Sequence, residues 1–113
     1  SEAVLENASF RSANLSGASL LIARMKQTDF SGASLASANF RQAIGPGARF
    51  TGADLTDADL GWAVLPGADF REANLVGAYL SGADLSGTDF TDAIWTDASP
   101  CYSASCDDRA YLD

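Results

Sequence analysis

The 113 residues include no histidine, a single methionine and only two cysteines, and these absences narrow the chemistry before any pattern is sought. Without histidine there is no Ser-His or Cys-His arrangement for nucleophilic catalysis. A phosphate-binding glycine-rich loop is also missing. No apolar run reaches 18 residues, which excludes a helix that spans a membrane. Charged residues make up only 19% of the chain, and Ala, Gly, Ser and Thr occupy the places that Lys and Glu usually fill. Such a composition suits close backbone packing under small side chains. Bases are scarce in the second half: residues 1–50 carry five bases and three acids, whereas residues 51–113 carry two bases and twelve acids. The net charge of −8 is therefore concentrated toward one end. A field of that sign disfavours phosphate backbones, so nucleic acid is not an expected partner, and it favours basic partners in a salt-dependent way.

What the chain does have is a beat of five. The stretch Gly52-Ala53-Asp54-Leu55-Thr56-Asp57-Ala58-Asp59-Leu60 shows it most plainly. Large residues stand at Leu5, Phe10, Leu15 and so on to Trp95, and eighteen of these nineteen centres are large and apolar. Two positions before each centre sits Ala, in seventeen of nineteen cases, with Thr28 and Thr88 as the exceptions. Neither a helix at 3.6 residues nor a strand at 2 has this spacing. A chain that turns a corner after each unit meets it: the large side chain fills the middle, and Ala allows tight backbone approach at the edge. Small residues such as Gly17, Gly52 and Gly77 ease the turns. No unit has a core of its own, so units must stack, and the length is that of one domain.

The runs Ala13-Asn14-Leu15, Ala53-Asp54-Leu55, Ala73-Asn74-Leu75 and Ala83-Asp84-Leu85 resemble the pentapeptide repeat family. The resemblance covers about 95 of the 113 residues. It implies an all-β fold, a right-handed quadrilateral β-helix of about five coils, which at about 4.8 Å per hydrogen-bonded layer is about 24 Å long. Four units per coil place residues twenty apart above one another. One column then reads Phe10, Phe30, Phe50, Phe70, Phe90, a ladder of a single residue type. The others are Leu15 to Trp95, Leu20 to Leu80, and Leu5, Met25, Gly45, Leu65, Leu85. Only the last has a gap, at Gly45 in Ile44-Gly45-Pro46-Gly47. Met25 is placed to lean into it, and the passage reads as a tolerated distortion of the coil, with a functional kink or notch as the other reading.

Outward positions are mostly polar. Leu21, Ile22, Ile44, Trp62 and Val64 break that rule, and all fall on the corner and side between the Leu20 column and the Leu5 column, with Val4 at the edge. A clustered apolar strip with a Trp points to a protein contact; local covering of the Gly45 irregularity is the competing structural reading. Tyr79 and Ile94 are expected on other sides. The aspartates before the centres, among them Asp54, Asp59, Asp69, Asp84 and Asp89, are expected to make local turn hydrogen bonds. No catalytic, cofactor or metal site is expected, and the protein is not expected to be an enzyme.

The expected domain of repeats spans 1–99, followed by a cap at 100–113. Ser105-Cys106-Asp107-Asp108 has the form of a helix start, and Tyr111 and Leu112 would cover the open last coil. Cys101 and Cys106 fit a disulfide in an oxidising compartment; two reduced thiols or a redox-sensitive pair are the alternatives. The N-terminal end has no such cap, so the expected state is a monomer or an association through that end. Ser1-Glu2-Ala3 does not begin a signal peptide. The leading functional expectation is a non-enzymatic scaffold or protein-interaction module with a protein partner. The resemblance also implies a second reading, a DNA mimic that binds a type II topoisomerase. With the terminal cysteine pair, it further implies a thylakoid-lumen location, ahead of the bacterial periplasm and the cytoplasm.

Overall fold

In the computed structural model, which describes residues 2–94, the beat of five becomes a beat of twenty. Fifteen parallel bridges join residues twenty apart, from Val4 with Arg24 to Asn74 with Ile94. Four five-residue units therefore complete one circuit, and successive circuits stack. Each side pairs through one residue, the one before the centre. Arg24 N–H donates to Ala3 C=O at 2.7 Å and Leu5 N–H donates to Arg24 C=O at 2.7 Å, and this pair of bonds recurs along every column. Two of every five residues are consumed by a turn, so a side is too short to form a longer strand.

Each turn is closed by the amide two places before the next centre: Ala8 N–H donates to Leu5 C=O at 3.0 Å, and Ala53 N–H to Phe50 C=O at 3.0 Å. The second turn residue has a positive φ at all eighteen turns from Asn7 to Asp92, and the first has none, the pattern of a type II turn. Glycine takes eight of these eighteen places. At the others an L-residue is held in the left-handed region, and this includes Ile22 (φ 60°) and Trp62 (φ 59°), a β-branched and a bulky residue for which this geometry is unusual.

All nine Asp and Asn residues that precede a centre, at 14, 29, 39, 54, 59, 69, 74, 84 and 89, accept the backbone N–H two residues on. That N–H has no backbone partner, so these side chains complete the turn. Pro46 and Pro66 occupy the same place behind Ile44 and Val64. Those side chains cannot accept a hydrogen bond, and proline removes the donor instead.

The centre side chains meet on the axis. From Met25 onward they are fully buried, and the Ala layer beneath them is buried as well. Leu5, Phe10, Leu15 and Leu20 in the first circuit are partly buried. The phenylalanine column is a continuous stack, with ring centroids 4.8–5.4 Å apart and planes within 16° of parallel. Phe40 enters from the opposite column at near right angles to Phe30 and Phe50, at 5.7 and 5.6 Å, the other favoured aromatic arrangement. Thr28 and Thr88, which stand in for Ala, are buried but donate their hydroxyls to the carbonyls of Leu5 and Leu85.

Gly45 does not distort the coil. Its N–H donates to Val64 C=O at 2.8 Å, and Met25 N–H reaches Ile44 C=O at 2.8 Å, as at any other unit. The missing side chain is replaced from both neighbouring circuits: a Cβ at Gly45 would lie 2.9 Å from Met25 Cγ and 3.2 Å from a Leu65 methyl. The expected cap at 100–113 and the Cys101–Cys106 pair lie outside the described residues.

Candidate functional site

The turns that follow the Leu20 column and the side that follows them carry the exposed apolar surface. Ile22 and Trp62 share one corner column with Gln42 and Gly82, while Val4, Ile44 and Val64 share the adjoining side with Arg24 and Asp84. Trp62 is 58% exposed; Ile22, Ile44, Val64 and Val4 are exposed as well. Leu21 is half-buried. The strip read from the sequence is therefore assembled in space, with Leu21 contributing less surface than its neighbours.

The indole of Trp62 lies over the next circuit. A Cβ on Gly82 would fall 2.5 Å from the ring, so the absence of a side chain at Gly82 leaves the room that the indole occupies. At the same corner, Gly61 plays the same part for a second group. A Cβ there would meet Arg41 Nη1 at 2.7 Å and Tyr79 Cε2 at 3.0 Å. Arg41 sits 5.8 Å from the Tyr79 ring centroid, a cation–π contact, and its Nη1 also reaches both Asp59 oxygens at 3.3 Å. Tyr79, expected on a separate side, thus borders the Trp62 corner through Arg41. Tyr79 pairs with Asp59 on the side that runs into this corner, and both its ring and Arg41 close over Gly61. Ile94 does lie on another side, paired with Asn74.

On the turns after the phenylalanine column the character reverses. Arg11, Arg49 and Arg71 line a shallow groove with Ser12, Ser31 and Thr51. Arg11 Nη1 binds Asp29 Oδ2 at 3.1 Å, and Arg71 holds Asp69 through Nε and Nη2, the latter at 2.7 Å. Burial pushes the Asp29 and Asp69 carboxyls up, but hydrogen bonds from Ser31 and Arg11 in one case, and from Arg71 and Thr51 in the other, hold both below the ordinary value. Asp84 is also lowered, by the hydroxyl and backbone N–H of Ser86. These carboxylates are occupied by turn and ion-pair bonds. Among the described residues, no cluster of three or more His, Cys, Asp or Glu could hold a metal ion.

Stacked square circuits with a filled axis and all-local carboxylate bonding define a β-solenoid, a class of protein that presents sides and corners to its surroundings. The family model for pentapeptide repeats matches eight copies over residues 1–20, 23–61 and 53–92, and the chain belongs to the pentapeptide repeat family. Within it, this protein is a non-enzymatic scaffold or protein-interaction module.

Among solved structures, the chain is similar to a pentapeptide repeat protein from the Arabidopsis thaliana thylakoid lumen, with 38% identity over 91% of this chain and 76% of that one, at a TM-score of 0.61. HetL, a pentapeptide repeat protein involved in heterocyst differentiation regulation in the cyanobacterium Nostoc, is 36% identical over 87% of this chain at a TM-score of 0.48, and this chain spans 43% of its length. Rfr23 from the cyanobacterium Cyanothece is 33% identical over 83% of this chain and 61% of its own, also at 0.48. A comparison with curated protein sequences found no significant match. No helix among the described residues is long and apolar enough to cross a membrane.

Proposed function

We propose that the protein works as a protein-docking column in the thylakoid lumen, and that the strip of Ile22, Ile44, Trp62 and Val64, with Leu21 and Val4 at its margins, is the surface that its partner covers. The observation that carries this reading is the backbone at Ile22 and Trp62. Both hold φ near +60°, where glycine is free of steric cost and an L-residue gives up about 1–2 kcal/mol. Eight of eighteen turns use glycine there, so an Ile and a Trp at two turns of one corner exchange backbone ease for exposed apolar surface. The Gly45 gap gives no reason for the strip, because Met25 and Leu65 fill it from inside. The lumenal location is supported by the 38% identical Arabidopsis relative.

The wider architecture belongs to the same proposal: about five right-handed coils, the last covered by the segment from residue 100, with Cys101 and Cys106 bonded in the oxidised lumen. Affinity capture from thylakoid-lumen extract tests the docking surface. A partner held by the native protein and by Asp54→Asn, on a different side, should be lost or weakened by about tenfold with Trp62→Ala, because aromatic anchors commonly carry 2 kcal/mol or more of binding at about 1.4 kcal/mol per tenfold. Equal capture by all three proteins would overturn the assignment of the strip. The topoisomerase reading has its own test, binding to gyrase at low salt.

A further inference from the structure

The groove behind the phenylalanine column lies on the corner diagonally opposite the apolar strip, and nothing in the docking reading uses it. We propose that it is a binding site for a tetrahedral oxyanion of the phosphate class, centred on Arg49. Arg49 is bridged to Asp29 on one side and to Asp69 on the other, the arrangement in which an arginine ordinarily forms an ion pair. It forms none among the described residues. The reason is that both neighbouring carboxylates are already taken. Asp29 Oδ1 accepts the Ser31 N–H at 2.9 Å and Oδ2 accepts Arg11. Asp69 Oδ1 accepts the Arg71 N–H at 2.9 Å, and its two oxygens share the Arg71 guanidinium.

Arg49 therefore keeps all five guanidinium donors, which form a planar fork matched to phosphate oxygens. Arg11 spends only Nη1, and Arg71 leaves its own Nη1 free, so further donors open onto the same groove. Arg11, Arg49 and Arg71 against Asp29 and Asp69 leave the groove itself at +1, with Glu72, Asp89 and Asp92 beyond its Arg71 end, within a described domain of six bases and eleven acids, net −5. A positive groove in a negative body is a local attractor for a small anion, whereas a larger polyanion would also meet Glu72 and Asp92 and be repelled. Those two acids line the next groove beside Arg71, so the anion is drawn toward the Arg11 end. The free phosphate ion and a phosphoryl group on a small molecule share this chemistry.

The test is an NMR titration of the folded protein with inorganic phosphate and, separately, with O-phosphoserine, at constant ionic strength set with chloride. Saturable shifts are expected at the Arg49 side chain and at the Ser31 and Thr51 amides. Arg49→Gln should weaken the binding by at least about tenfold, Arg11→Gln by less, and Arg24→Gln on a different side not at all. Asp69→Asn keeps the turn acceptor for the Arg71 amide but releases its guanidinium, and should tighten binding. Whichever of the two ligands binds more tightly identifies the source of the anion. Shifts that do not saturate, or that persist in Arg49→Gln, would overturn the proposal. Because Trp62 is on the opposite corner, either result leaves capture through the apolar strip unchanged, so the two readings fail separately.

Discussion

At the scale of single residues, the repeat separates side chains by what each place demands. The residue before a centre is Asp or Asn at nine positions because the amide two places later has no other acceptor. Where it is Ile44 or Val64, proline removes that amide. The second turn residue demands a positive φ, and Ile22 meets this demand least comfortably. Replacing it with Asn, which tolerates the left-handed region, should raise stability in urea unfolding by about 1 kcal/mol. The same change removes part of the apolar strip. A variant that is stabilised and also loses its captured partner would show that strain is retained at this corner for the sake of contact.

At the scale of a column, the phenylalanine ladder is the strongest element of the core. Phe50 stacks on Phe30 and Phe70 at 5.2 and 4.8 Å and also meets the edge of Phe40. Phe50→Ala should cost about 3–5 kcal/mol, through lost burial and an unfilled cavity on the axis. Phe10 is partly buried and stacks only on Phe30 among the ring pairs, so Phe10→Ala should cost about half as much. Chemical denaturation of the two variants compares them directly. Equal losses would mean that the column does not become better packed toward its middle.

At the scale of the whole molecule, charge is arranged by corner and stability follows the carboxylates. Asp29, Asp69 and Asp84 have pKa values below 3.8 in the folded protein. For a depressed carboxyl the stabilising contribution is whole above the unfolded value and disappears as pH falls through the lower folded value. Unfolding midpoints should therefore hold from neutrality toward 3.8 and decline below it. Asp69→Asn should flatten part of that acid limb, since Asn keeps the turn bond but cannot pair with Arg71. A midpoint that climbed on acidification would contradict the bonding described for these groups. The diagonal arrangement of the apolar corner and the arginine-lined groove also means that a partner on one does not shade the other.

The period of five, the four columns and the strip containing Trp62 could all be read from the chain itself, because stacking at a fixed interval of twenty turns sequence distance into vertical distance. The filling of the Gly45 gap by Met25 was legible for the same reason. The route of side chains across columns was not. Arg41 reaches Tyr79 over Gly61, and Arg49 is left unpaired because Arg11 and Arg71 reach its neighbouring acids first; both depend on which way long, flexible side chains lean. The positive φ at Ile22 and Trp62 was likewise decided only by closure of the square, since the turn imposes one backbone geometry at every corner whatever residue stands there.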